Sequence, residues 1–221
     1  MDASAIDDVL DTRPQRFRAT VGVVLIALAC ALGAWVFFRG PSPFAIDVWW
    51  NQLFASAPSQ PLLVFAIAMD TVGGHLTAVL IVPVLGALVL YLSRRRWSAL
   101  YFLTASVGSA LLVQVIKHTF GRARPEDILI VSDYGSFPSG HTANAATIAV
   151  VAAVLFPHLW VQIVGVAWVV LMAFSRTYLH AHWLSDVVAG ALEGIAVSTF
   201  VWALIQVVRE RRAQRLAAES A

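Results

Sequence analysis

The sequence predicts an all-α fold: a polytopic membrane protein of six transmembrane helices, with short interfacial helices between the first and the second. Composition is one reason, because 59% of the 221 residues are hydrophobic and only 13% are charged, whereas soluble domains carry about 25% charged residues. Run length is another, because several stretches supply the ~20 mostly apolar residues that cross a hydrocarbon core. The third is the placing of the arginines, which cluster between those runs. No linker-like composition interrupts the pattern. An N-terminal tail (1–18), one six-span domain (19–208) and a basic C-terminal tail (209–221) are therefore expected.

The first span, residues 19–38, follows Arg13, Arg16 and Arg18. It is too long for the apolar core of a secretory signal and lacks a small-x-small cleavage pattern, so it reads as a retained anchor. Cys30, the sole cysteine, lies inside it and has no partner for an internal disulfide. Residues 43–72 read as two short interfacial or re-entrant helices. "PFAIDVWWNQLFASAP" mixes paired tryptophans with polar groups, and "PLLVFAIAM" (61–69) is too short to span alone. A tilted span beginning at Pro61 is the alternative. The remaining spans are 75–93, 98–116, 141–157, 160–175 and 186–208. Pro83 falls inside the second, where a membrane helix tolerates it better than a soluble one.

Six spans put Arg13, Arg16 and Arg18, then Arg94, Arg95 and Arg96, then Arg209, Arg211, Arg212 and Arg215 on one side, which is cytoplasmic by the positive-inside rule. Five cations fall on the opposite face: Arg39, Lys117, Arg122, Arg124 and Arg176. Lys117 is the only lysine, and four of these five cations share their loops and helix ends with His118, His141, His180 and His182. An anion-binding pocket on the outer face explains cations gathered where topology disfavours them.

Three stretches build that pocket. In "KHTFGRARP", Lys117 and Arg124 bring a point charge and a planar fork suited to phosphate oxygens, and Pro125 stops the helix. In "PSGH" (138–141), Ser139 is a candidate N-cap. The amides of Gly140 and His141 open a helix whose positive dipole end favours an anion, and Gly140 allows close backbone approach. In "SRTYLHAHWLSD", Arg176 adds a third cation, while His182 and Asp186 stand four residues apart. On a helix that spacing puts a carboxylate beside the imidazole, holding one ring nitrogen and leaving the other free as a nucleophile.

Lys-x6-Arg-Pro, Pro-Ser-Gly-His and Ser-Arg-x5-His-x3-Asp, in this order and on one face, resemble the signature of the type 2 phosphatidic acid phosphatase (PAP2) superfamily. Three ordered motifs at matching spacing are far more specific than one short pattern. The resemblance implies that Lys117, Arg124 and Arg176 bind phosphate oxygens, helped by Ser139 and the Gly140 amide. It further implies that His182 attacks phosphorus, that Asp186 orients it, and that His141 protonates the leaving oxygen and later activates water. No metal or other cofactor is implied. Arg122 takes a supporting role. The sequence departs from the family at His180, in "YLHAH", where members often carry glycine.

Other polar residues have plainer readings. His75 and His118 read as interfacial or hydrogen-bonded histidines, Arg39 as a snorkelling flank, and Trp49 and Trp50 as an aromatic belt. Glu193 lies eleven residues beyond His182, on the same helical face and deep in a span. There it either supports the pocket, holding an arginine or water, or makes a structural hydrogen bond.

The expected activity is that of a lipid phosphatase of a bacterial inner membrane, working on the extracytoplasmic side. The expected partners are the bilayer and a lipid phosphate or diphosphate, with no nucleic acid. Undecaprenyl or another isoprenoid diphosphate is the favoured substrate; phosphatidylglycerol phosphate and phosphatidic acid are alternatives. A serine hydrolase using Ser139 leaves three cations unexplained. A metal site at His180, His182 and Asp186 would suffer repulsion from them. A non-catalytic lipid-binding protein is the remaining alternative.

Overall fold

The computed structural model describes residues 42–74 and 77–219, with scattered helical positions between 20 and 38. The N-terminal tail, half of the first expected span, Arg39 and His75 lie outside the described residues. Every regular element among the described residues is helical. They are α1 (Ala45–Ala55), α2 (Gln60–Gly73), a π-turn (Thr77–Ile81), α3 (Val82–Leu92), α4 (Arg96–Phe120), α5 (Gly140–Leu155), α6 (Leu159–Tyr178) and α7 (Leu184–Glu219).

Three of these helices, α4, α6 and α7, are long and apolar enough to cross a membrane, and their outward faces carry exposed Leu111, Val115, Val166 and Leu204. Lipid, rather than water, is the solvent that such a surface fits. A fourth candidate is bent: α2 and the Thr77–Leu92 segment together pass the same test across a 42° break. Residues 43–72 thus differ from the expectation of two interfacial helices. Only α1 is short and separate, while α2 leads into the next helix, as the alternative beginning at Pro61 had it.

The six expected spans are therefore not all recovered among the described residues. One is only half described, and α5 has only 16 residues, about 24 Å of helix against a hydrocarbon core of about 30 Å. The reason is positional. α5 is the central helix, packed against α4, α6 and α7, and it begins at the floor of a recess.

Small residues allow that packing. Gly190 and Gly194 form a small-xxx-small seam on α7, and a Cβ on either would collide with the α5 backbone at Ser139 O or Ala143 O. Ala143 and Ala146 face them from α5. Close backbone approach of this kind is how helices associate where no hydrophobic drive separates protein from lipid. Farther along, Tyr101 and Trp202 pack with ring centroids 5.0 Å apart and lock α4 to α7.

Candidate active site

The two described arginine clusters and the histidine motifs lie at opposite ends of the bundle. Along α4, Arg96 opens the helix and Lys117 sits in its last turn, about 32 Å away at the rise of an α-helix. At the Lys117 end, a cavity of about 920 Å³ is lined by Lys117, Gly140, His141, Arg176 and His182, together with Asp70 and Asp133. It continues past Ser106, Ser109, Leu111 and Val113 of α4 and past Thr77 and Val79 of the π-turn.

Gly121 explains how the first motif folds. It ends α4 in the left-handed conformation, φ 53°, and its amide donates to Lys117 O at 2.9 Å. The following loop then brings Arg122 and Arg124 back over the helix end. Lys117 is buried at 3% exposure, and its ammonium donates to Asp133 Oδ2 at 2.8 Å. Arg124 donates through Nη2 to Asp133 Oδ1 at 2.6 Å and to Gly135 O at 2.8 Å, and its Nη1 lies 3.3 Å from His182 Nε2. Burial acts to raise the Asp133 carboxyl, but Lys117 and Arg124 outweigh it and hold the group below the usual carboxylate range.

In the second motif, Ser139 holds the extended N-cap backbone and its amide donates to Asp186 O at 3.0 Å. Its hydroxyl does not cap the helix; it accepts from Thr142 at 3.1 Å and is fully buried. The anion-facing groups of this motif are therefore Gly140 and His141, which line the cavity, and the opening amides of α5, which have no acceptor within the helix. His141 Nε2 stands 3.0 Å from Asp70 Oδ1. Asp70, from α2, also pairs with Arg176 of α6. Gly74 is required here, since a Cβ would collide with His141 Nε2.

The third motif corrects one detail. His182 precedes α7 by two residues, so the four-residue spacing to Asp186 is not a continuous helical one. Its Nδ1 is 2.7 Å from Ser136 O but 3.8 Å from Asp186 Oδ2. The carbonyl of Ser136 takes the ring proton that Asp186 was expected to take, which fixes the tautomer and aims Nε2 at the cations. Asp186 instead accepts from the Trp183 amide at 2.9 Å and from Arg122 at 2.5 Å. Burial first, then Arg176, Arg124 and Lys117, hold His182 well below the ordinary histidine range. It is therefore neutral at pH 7.

Arg122 is wholly buried and supports the site from behind, bridging Asp186 and Asp47 of α1, the latter at 2.8 Å. Asp47 is saturated, accepting also from the Ser185 amide and hydroxyl, each at 2.8 Å, and from the Phe44 amide at 3.1 Å. Glu193 is buried and accepts from Ser109 at 2.8 Å, not from an arginine. His118 is on the exposed side of α4, 2.8 Å from Gln114 O.

His180 points away from the cavity, its Nδ1 2.8 Å from Asp127 and 2.7 Å from Asn51. Its φ of 53° lies in the left-handed region that favours glycine. That conformation fits the glycine which the PAP2 resemblance leads one to expect at this position. His180 and His182 thus present their ring nitrogens to different partners, and among the described residues no group of three or more His, Cys, Asp or Glu is placed to hold a metal ion.

Asp47, Asp70 and Asp133 escape the reading of the sequence. One signal could have exposed them: buried cations need counter-ions on the same face, and these aspartates fall in the stretches that the sequence reading places between spans on that face.

A family model for the PAP2 superfamily matches residues 98–210. The chain is 34% identical over 122 residues to a lipid A 1-phosphatase of Rhizobium etli, covering 49% of each protein. It is 34% identical to phosphatidylglycerophosphatase B of Bacillus subtilis over 48% of this chain and 57% of that one. It is 33% identical to an undecaprenyl-diphosphatase of Sulfolobus acidocaldarius over 51% of this chain and 57% of that one. The chain thus spans about half the length of these curated relatives. Among solved structures it is similar to a transmembrane PAP2-type phosphatidylglycerolphosphate phosphatase from Bacillus subtilis, with TM-score 0.68, 25% identity, and 86% of this chain and 96% of that one covered. The chain belongs to the PAP2 superfamily.

Proposed function

We propose that this PAP2 member is a metal-independent phosphatase of lipid phosphates or diphosphates that works through a phosphohistidine. One observation carries the reading: two buried cations, Lys117 and Arg176, two histidines and a helix N-terminus converge on one cavity, with Arg124 beside His182 and aliphatic Val79, Ala110, Leu111 and Val113 along the far wall. The cationic end suits a phosphate, and the aliphatic end, set between helices of a membrane bundle, suits a hydrocarbon tail.

The chemistry follows from the atoms. Lys117, Arg124, Arg176 and the α5 amides hold the phosphate oxygens and neutralise charge in the transition state. Nε2 of neutral His182 attacks phosphorus, and the bond to the leaving oxygen breaks as His141 gives that oxygen a proton. His141, now neutral and kept in place by Asp70, then takes a proton from water. The resulting hydroxide attacks phosphorus, which releases phosphate and frees His182. Asp186 keeps its part as an orienting residue, acting through Arg122 and the backbone around His182 rather than by direct hydrogen bond.

Isoprenoid diphosphates, undecaprenyl diphosphate above all, are the favoured substrates, a preference supported by the relative named for that activity. Phosphatidylglycerol phosphate and phosphatidic acid are the alternatives. The site lies at the end of the bundle opposite Arg94–Arg96 and Arg209–Arg215, which supports an extracytoplasmic active site in a bacterial inner membrane. A serine hydrolase fits less well, because the Ser139 hydroxyl is buried against Thr142.

The test is phosphate release by the purified protein from a panel of lipid phosphates and diphosphates. His182→Ala is expected to abolish release from every lipid. Undiminished activity in that variant refutes the mechanism, and the ranking of kcat/KM across the panel names the substrate.

A further inference from the structure

Asp133 occupies the place that a substrate phosphate would take. Its two carboxylate oxygens bridge Lys117 and Arg124, at 2.8 and 2.6 Å. It lines the same cavity as His141, Arg176 and His182. A carboxylate has two oxygens set much as two oxygens of a phosphate are, so the pair of cations is satisfied by the one as by the other. We infer that Asp133 is an internal competitor for the phosphate subsite, one that substrate must displace and that returns to help expel inorganic phosphate. This inference rests on the phosphatase reading above.

Two facts separate Asp133 from the other carboxylates of the site. One is burial: its side chain is 59% exposed, against 13% for Asp70 and 0% for Asp47 and Asp186. It can turn into water at little desolvation cost, which the others cannot. The other is attachment. Asp133 sits in the irregular segment between α4 and α5, and among the described residues its side chain holds only the two cations. Asp47, by contrast, also holds the Ser185 and Phe44 amides.

Charge supplies the reason for displacement. Lys117, Arg124 and Arg176 bring three positive charges, and Asp70 and Asp133 bring two negative ones. A phosphate monoester adds about −1.5 to −2 at neutral pH, which would place it against the Asp133 carboxylate on the same two donors. Like charges at contact distance repel by more than thermal energy even at a high effective dielectric. Carboxylate and phosphate therefore exclude each other. The benefit lies at the end of the cycle: three clustered cations would otherwise hold product phosphate tightly, and a resident carboxylate weakens that grip.

The experiment measures competitive inhibition by inorganic phosphate and by orthovanadate in wild type, Asp133→Asn and Asp133→Glu, with a lipid phosphate that wild type hydrolyses. Asparagine keeps the shape but not the charge, and is expected to lower Ki for both anions by about tenfold. KM should fall with Ki, while kcat stays level or drops as product release slows. Glutamate keeps the charge and should leave Ki close to wild type. An unchanged or raised Ki in Asp133→Asn overturns the inference, because a merely structural aspartate would weaken anion binding when removed. Failure of the asparagine variant to fold overturns it equally, since a displaceable counter-ion on an exposed segment can be neutralised without unfolding. Lys117→Ala separates the two readings. If phosphate and vanadate compete as well in that variant as in wild type, or never compete in wild type, the phosphatase site itself is wrong.

Discussion

Arg122 and Arg124 stand two residues apart in "GRARP", yet they live in opposite regimes. Arg122 is wholly enclosed between two carboxylates that are themselves fully buried. Arg124 is 12% exposed, borders His182 and pairs with a carboxylate that is mostly in solvent. A closed ion network is expensive to break and does no chemistry directly: it ties α1 to the start of α7. An open one is exchangeable, so a ligand can take the counter-ion's place. Alternating directions along an extended loop put one guanidinium in each regime.

Breaking the closed network should have the largest effect. Arg122→Ala leaves Asp47 and Asp186 buried without their cation, and loss of one partner from a buried pair costs about 3–5 kcal/mol. The expected result is a large drop in the thermal midpoint in detergent and little folded protein; a near-wild-type melt would show that water enters the network. Arg124→Ala ranks next and differs in kind. The fold should survive with a nearly unchanged melt while kcat/KM falls about a hundredfold or more, as for loss of one charge-stabilising donor. Equal damage to stability from both variants would erase the distinction between the two arginines.

Asp47→Asn is milder. It keeps the shape and some of the hydrogen bonds, so a stability loss of about 1–3 kcal/mol is expected, with kcat of the folded fraction close to wild type. A fall in kcat at unchanged stability would instead show that α1 acts on the nucleophile through Arg122 and Asp186. The smallest effect is on pH. In the proposed mechanism attack requires neutral His182, whose pKa is lowered, so the acid limb of kcat/KM should lie below the ordinary histidine value of about 6.5. Removing a neighbouring cation, as in Arg124→Gln, should move that limb upward. Stability has the same sign. With the folded pKa depressed, the contribution of neutral His182 is intact above about pH 6.5 and is lost as pH falls toward the folded value. A limb at or above about 6.5 in wild type would mean that burial and the neighbouring cations do not control the histidine.

Much of the site was legible because its motifs are local. Lys117, Gly140, His141, Arg176 and His182 line one cavity, and each sits at a helix end that Gly, Pro or Ser marks in the sequence. Arg122, given only a supporting role from the sequence, lies buried behind the cavity, and Glu193 faces Ser109 inside the bundle. The His182–Asp186 contact was less legible, because spacing of four implies a shared face only within a continuous helix. α7 starts after His182, and the Ser136 carbonyl takes the place beside Nδ1. The extent of the spans was blurred as well. α2 is apolar but short, and only its continuation through the π-turn makes it part of a bent span.

The sequence by itself determined the helical membrane class, the clustering of cations and histidines at helix ends, and the order of the three motifs, because apolar run length and helix-end chemistry are properties of neighbouring residues. The counter-ions were decided only by the tertiary structure. Asp47 lies 75 residues from Arg122, and Asp70 lies 106 residues from Arg176. Coulomb attraction and the cost of burying a bare charge require that some carboxylate meet each cation. Which carboxylate arrives, and whether it is sealed in or left where a phosphate can displace it, depends on how distant helices pack, and no spacing rule within the chain encodes that.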